Sequence, residues 1–189
     1  MAGNLPRGWG AGAARGIARG RRGKTRLPRV DLGLAGRAAV VLASTDGLGL
    51  AAARALLVEG ARVAISGRDP DRLARALAEL AREHGERTFG ERLDVTDGPA
   101  LARHLEGVRA RFGALHVLVT NAGGPRAGSA ADATDEALDQ AFDLTLKSAV
   151  RAVRAVLPGM RAQGYGRIVA LTSSSVRQPI PGLALSNTL

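Results

Sequence analysis

The sequence predicts an α/β fold, a doubly wound parallel sheet with helices on both faces. Three observations carry that expectation. Five short runs are apolar at consecutive positions, as strands buried on both faces require, rather than alternating as half-exposed strands do. Longer stretches with apolar residues three and four apart lie between those runs. Strand and helix therefore alternate along the chain, which calls for right-handed β-α-β crossovers. A length of 189 residues, 46% hydrophobic and 23% charged, suits one domain with its own core.

The first strand is expected at Ala38-Ala-Val-Val-Leu-Ala43, followed by a helix from about Gly47 to Glu59 that buries Leu48, Ala52 and Leu56 and stops at Gly60. Arg62-Val-Ala-Ile-Ser66 is the second strand. Its helix has Asp69 as N-cap, Pro70 at the first helical position, and Leu73, Leu77 and Leu80 on one face, ending at Gly85. A weaker strand near Thr88 to Leu93 leads to Asp97-Gly-Pro and a helix carrying Leu101, Leu105, Val108 and Phe112 on one face. Leu115 to Thr120 forms the fourth strand. A helix beginning near Thr134 runs through Phe142, Leu146, Val150 and Val153 to Pro158, and Arg167 to Thr172 is the fifth strand, again buried on both faces.

Charge is uneven along the chain. Residues 1–30 hold eight of the 27 basic residues, none of the 17 acidic ones and no apolar periodicity, so they are expected to be a disordered tail outside a domain at 31–189. Three roles stay open for that tail: an inert extension, an organellar targeting segment, or an arm that touches polyanions. The formal charge of +10 resides mainly there, and Trp9 is its one aromatic residue, so nucleic acid is not the expected partner. With no secretory apolar segment and no run long enough to span a bilayer, a cytoplasmic protein without membrane contact is expected. The absence of cysteine excludes disulfides, thiolate metal sites and a cysteine nucleophile. The three histidines, His84, His104 and His116, lack ligand spacing and are expected to be structural.

The first strand empties into Ala43-Ser-Thr-Asp-Gly47-Leu-Gly49, where the helix begins. Such a turn lets backbone N–H groups approach a pyrophosphate at the positive end of a helix, although alone it also suits a tight turn without a ligand. Four segments in order resemble the short-chain dehydrogenases/reductases. The turn is similar to their Thr-Gly-x-x-x-Gly-x-Gly, and Leu93-Asp94-Val95 to their adenine-contacting Asp-Val. Asn121-Ala-Gly123 is similar to their Asn-Asn-Ala-Gly, and Arg167-Ile-Val-Ala-Leu-Thr172-Ser173 to the strand that ends in the catalytic serine.

The resemblance covers residues 32–189 and implies a Rossmann-like fold binding NAD(P)(H) along the carboxyl ends of the strands. Carried over residue by residue, Ser44, Gly47, Leu48 and Gly49 make the phosphate loop, Asp94 and Val95 flank the adenine, and Asn121, Ala122 and Gly123 line the path to the nicotinamide. Each also has a plain structural reading: Asp94 as a helix-entry residue, Asn121 as a turn former, Arg68 as a solvated charge. At the end of the second strand, Ser66-Gly67-Arg68-Asp69 offers no acid for a ribose 2′-OH. Arg68 is the only basic candidate for a 2′-phosphate, so NADP(H) is expected over NAD(H). Asp46 argues the other way, standing where NADP-preferring relatives often carry a basic residue.

Departures from the family pattern gather at the catalytic end. Leu42 and Ala43 stand for the family's Thr and first Gly, and Thr145 stands for its water-holding catalytic Asn. Ser173 is the carbonyl-orienting hydroxyl, with Ser174 and Ser175 leaving the register open. The family's proton-donating Tyr falls on Ser186, or on Asn187 in the next register, and its Lys falls beyond Leu189. The one tyrosine is Tyr165 and the two lysines are Lys24 and Lys147, so no Tyr-x-x-x-Lys exists in any register. The sheet is accordingly expected to be incomplete after the fifth strand, and the family's homo-oligomer interface to lack a helix. The implied function is hydride transfer to a carbonyl, 3-oxoacyl-like or another small ketone, with Ser173, Ser186 and Thr145 as the catalytic positions and turnover impaired. The alternatives are an inactive nucleotide-binding remnant or NADP(H) sensor, and, third, a basic-tailed nucleic-acid binder.

Overall fold

Five parallel strands, β1 (Ala38–Val41), β2 (Arg62–Gly67), β3 (Thr88–Arg92), β4 (Val117–Thr120) and β5 (Arg167–Ala170), form one sheet in the order β3-β2-β1-β4-β5. The computed structural model describes residues 30–189; the tail readings fall on 1–29, outside the described residues. The chain winds outward from β1 to β3, then crosses back to place β4 on the other side of β1. That reversal leaves a crevice at the carboxyl ends of β1 and β4, where open α/β sheets take their ligands.

The described residues form six α-helices, α1 (Gly47–Val58), α2 (Pro70–His84), α3 (Gly98–Phe112), α4 (Asp135–Phe142), α5 (Ser148–Ala162) and α6 (Ala184–Thr188). Successive residues of β1 serve opposite layers. Ala38, Val40 and Leu42 pack with Leu105, Val108, Ala152 and Val156 of α3 and α5. Ala39 and Val41 pack with Leu50, Leu57, Leu73 and Leu80 of α1 and α2. Two cores on one strand explain why its sequence is apolar throughout. Asp69 caps α2, with Pro70 in the first turn, and Asp97 caps α3 through the N–H of Ala100.

Three expectations are corrected. The buried face of α1 is displaced from the one expected: Leu48 is 72% exposed, whereas Leu50, Ala53 and Leu57 are buried and Ala52 and Leu56 pack at the margin. The first turn of α1 starts beyond the carboxyl end of β1, where Gly49 rather than Leu48 faces the turn. The expected helix from Thr134 to Pro158 is α4 and α5 joined by a π turn at Asp143–Lys147, and it passes Pro158 to reach Ala162. The inward face is that of Ala141, Ser148, Ala152, Val156 and Met160, and Phe142, Leu146 and Val150 stay outward on both sides of the π turn, so the more apolar stripe is the one turned away from the core. Finally, β5 is exposed along its whole length, Val169 by 48%, because it is an edge of the sheet among the described residues.

Three features had no sequence signal. α6 follows β5, and the loops after β4 and β5 are tied together where the Gly128 N–H donates to the Gly182 carbonyl at 2.7 Å and the Ala184 N–H to the Gly128 carbonyl at 3.1 Å. Asn187 clamps the backbone of Ile180 through its side-chain oxygen and nitrogen.

Candidate functional site

The turn from β1 into α1 is held from beneath by two serines. The Ser44 hydroxyl, fully buried, donates to the Val41 carbonyl at 2.6 Å and accepts from the Ser66 N–H at 3.2 Å, while Ser66 Oγ accepts from the Ala43 N–H at 3.3 Å. Ser44 therefore spends its hydroxyl inside the fold, and its N–H as well, which donates to the Ser66 carbonyl at 2.7 Å. Ala43 takes a left-handed φ of 46°, which strains a residue with a Cβ. Gly47 takes a φ of 54° beside open space, so it is there for conformation. Gly49 is there for close approach: a Cβ would lie 2.8 Å from both Asn121 Nδ2 and Ser44 Cα, and 2.9 Å from the Ala43 carbonyl.

Asn121 closes the same turn from β4, donating from Nδ2 to the Ala43 carbonyl at 2.8 Å. Ala122 packs against the α3–α5 core, and Gly123 is exposed, with open space where a Cβ would stand. Leu48 lies at the open start of α1, next to the backbone donors of the turn. Asp46 caps α1, its carboxylate accepting from the Gly47 N–H at 2.7 Å.

At the other side of the crevice, Asp94 accepts from the Thr96 N–H at 3.0 Å and from its hydroxyl at 2.8 Å. Burial pushes this carboxyl up, but the Thr96 hydrogen bonds, with Arg68 and Arg92 nearby, outweigh burial and hold it below the ordinary aspartate value. The Val95 side chain is buried in the α3–α5 core, so only its backbone faces the crevice. Arg68 is exposed, and its guanidinium has no hydrogen-bond or ion-pair partner among the described residues. It is not the only cation there: Arg92 Nε donates to the Arg68 carbonyl at 3.0 Å. Thr45, Arg92 and their relation to Gly67 are what sequence reasoning missed. The signal was strand alternation, since Leu93 and Val95 face the core and Arg92 the opposite side.

At the catalytic end, Ser173 is exposed just past β5, and its Oγ accepts from the Ser175 N–H at 3.1 Å, leaving its proton uncommitted. Ser175 is buried, its hydroxyl 3.4 Å from the Ser186 carbonyl, so the short turn at Ser174–Val176 packs on α6 and Ser173 is the one of the two that faces outward. Ser186 is half-buried in α6. Thr145 back-bonds to the Ala141 carbonyl at 2.6 Å within its own helix, so its hydroxyl proton is already spent. Tyr165 precedes β5, at the amino end of the sheet, between the guanidinium groups of Arg37 and Arg167 at 4.1 and 4.8 Å and edge-on to His116. The single tyrosine lies at the end opposite the crevice. The histidines are structural: His104 is buried with Nδ1 2.9 Å from Glu91, His84 meets Arg87, and His116 Nδ1 accepts from the Ala38 N–H.

Residues 37–185 match the family model for short chain dehydrogenases. The chain belongs to the short-chain dehydrogenase family. It is 37% identical over 146 residues to the putative ketoacyl reductase of the monensin polyketide synthase from Streptomyces virginiae, covering 76% of this chain and 56% of that one. L-sorbose reductase from Gluconobacter frateurii, solved with NADPH and L-sorbose, has a TM-score of 0.79 at 34% identity, over 84% of this chain and 60% of that one. A short chain oxidoreductase from Pseudomonas aeruginosa, described as containing an atypical catalytic center, has a TM-score of 0.77 at 34% identity, over 82% and 60%. This short-chain dehydrogenase chain therefore spans a little over half the length of the relatives it matches. The family read from the four motifs, and the doubly wound sheet it implied, are both borne out.

Proposed function

We propose that the chain binds NADP(H) along the carboxyl edge of its sheet and serves hydride transfer between the nicotinamide and a carbonyl or alcohol carbon, 3-oxoacyl-like or another small ketone. The observation that carries this reading is the close approach at Gly49, where no Cβ fits between Asn121 and the backbone of the turn. That packing seats the start of α1 directly on the turn after β1, the arrangement in which dinucleotide-binding sheets take a pyrophosphate. Gly47, Leu48 and Gly49, on a turn that Ser44 braces from beneath, would hold the phosphates, Asp94 and the Val95 backbone the adenine, Arg68 a 2′-phosphate, and Asn121, Ala122 and Gly123 the nicotinamide side. When bound, the cofactor supplies the hydride.

The chain's own part is orientation of the carbonyl. Ser173 accepts a backbone hydrogen bond and keeps its proton free to donate to the substrate oxygen. Ser186 is a poor general acid near neutrality, its aliphatic hydroxyl lying far above a phenol's pKa of about 10. The ketoacyl reductase relative supports a carbonyl substrate, and the Pseudomonas neighbour is a family member described as containing an atypical catalytic center. The second reading, a nucleotide binder without turnover, is favoured by the committed Thr145 hydroxyl and the distant Tyr165. NADPH absorbance with a panel of ketones separates them: ketone-dependent oxidation abolished by Ser173→Ala supports the enzyme, whereas binding with no oxidation supports the second.

A further inference from the structure

We propose that Arg92, at the end of β3, is a specificity-determining residue that joins Arg68 in holding the 2′-phosphate of the adenosine, and that Thr45 excludes the carboxylate an unphosphorylated ribose would call for. This deepens the reading that the carboxyl edge binds NADP(H), and rests on it. In dinucleotide-binding sheets the residue that reads the 2′-position lies about 20 residues beyond the glycine turn, at the end of the second strand. Here that residue is Gly67.

Its surroundings decide what can stand there. A Cβ on Gly67 would lie 2.4 Å from Thr45 Cγ2 and 3.1 Å from Thr45 Oγ1, so no side chain fits unless Thr45 moves. The space that an aspartate would use is filled by a methyl group. Gly67 is also paired in register with Arg92, and the Leu93 N–H donates to the Gly67 carbonyl at 3.0 Å, so Arg92 starts level with the 2′-position. Leu93 and Val95 turn into the α3–α5 core, which puts Arg92 on the other face.

The Arg92 guanidinium is placed rather than loose. Nε donates to the Arg68 carbonyl at 3.0 Å, and the terminal nitrogens have no hydrogen-bond or ion-pair partner among the described residues. The neighbouring acids are occupied: Asp94 by Thr96, Asp69 by the start of α2, Asp46 by Gly47. Two arginines whose terminal nitrogens are uncommitted, around a residue that admits no carboxylate, suit a phosphate dianion, which planar guanidinium groups bind through paired N–H donors.

Calorimetric titration of the full chain with 2′,5′-ADP and with 5′-AMP, at fixed ionic strength, tests this. Arg92→Gln is expected to weaken 2′,5′-ADP about tenfold while leaving 5′-AMP within about twofold, and Arg68→Gln with Arg92→Gln to erase the preference. Should the glutamine variant melt early, Arg92→Lys keeps the charge without the paired donors and is expected to weaken 2′,5′-ADP alone, several-fold. If the unmodified chain prefers 2′,5′-ADP but the Arg92 variants keep that preference, or lose both ligands equally, Arg92 has no part in reading the phosphate. An unmodified chain that binds both nucleotides equally instead overturns the NADP(H) reading itself.

Discussion

Ala43 holds a φ of 46° at the position where the family carries its first glycine, and the strain is local and removable. Left-handed backbone costs a residue with a Cβ about 1–2 kcal/mol, so Ala43→Gly should raise stability by about 1 kcal/mol after the glycine's greater unfolded-state entropy is deducted. Urea unfolding monitored by circular dichroism would show it as a higher midpoint at unchanged slope. Gly67 gives the converse case. Gly67→Asp should destabilise because of Thr45, and Thr45→Ala beside it should recover the melting temperature and shift binding toward NADH. His116 sets a pH dependence. Burial, then Arg37 and Arg62, hold its pKa below the ordinary value, and its unprotonated Nδ1 accepts from Ala38. The unfolded chain binds that proton more readily, so this contribution is complete above pH about 6.5 and is lost as pH falls through the lower folded value. Melting temperatures between pH 7.5 and 5 should fall less steeply in His116→Gln.

At the scale of elements, helix identity was legible and helix orientation only in part. Capping residues mark where α2 and α3 begin, and Asp69 and Asp97 do what their sequence positions suggest. The stripe of α3 is buried as expected because a straight helix on a sheet keeps its phase. In α1 the phase depends on where the helix starts, and in α4 and α5 the stripe of Phe142, Leu146 and Val150 is apolar yet faces outward, neither of which apolar spacing records. Leu48 and Leu57 make the difference measurable. Leu48→Ala should change stability by less than about 0.5 kcal/mol, and Leu57→Ala should cost about 2–5 kcal/mol, since one side chain is 72% exposed and the other fully buried. The crevice was legible to the same degree. Glycines, Asp94 and Asn121 announced themselves by motif, whereas Thr45 and Arg92 gain their meaning only when β3 is laid beside β2 in register.

For the whole molecule, the sheet divides its labour between its two ends. The amino end carries a layer of arginines stacked on rings, Arg62 on Phe112 and Arg111 on Phe89 beside the Tyr165 cluster, while the carboxyl end carries the glycine turn, Asp94, Asn121 and Ser173. β5 forms an exposed edge with Ile168 and Val169, and unpaired strand edges invite pairing with another chain. Sedimentation velocity should accordingly show concentration-dependent association that Val169→Lys reduces, and a single monomeric species at all concentrations would count against it. The most direct test of the cofactor reading is a fluorescence titration of the 189-residue protein with NADPH and NADH, alongside Gly49→Ala. Saturable binding, tighter for NADPH and weakened at least tenfold by the added methyl while the circular dichroism spectrum is retained, is the expected result. A folded protein that fails to bind NADPH, or binds it equally well with alanine at position 49, would contradict a nucleotide site at the carboxyl edge.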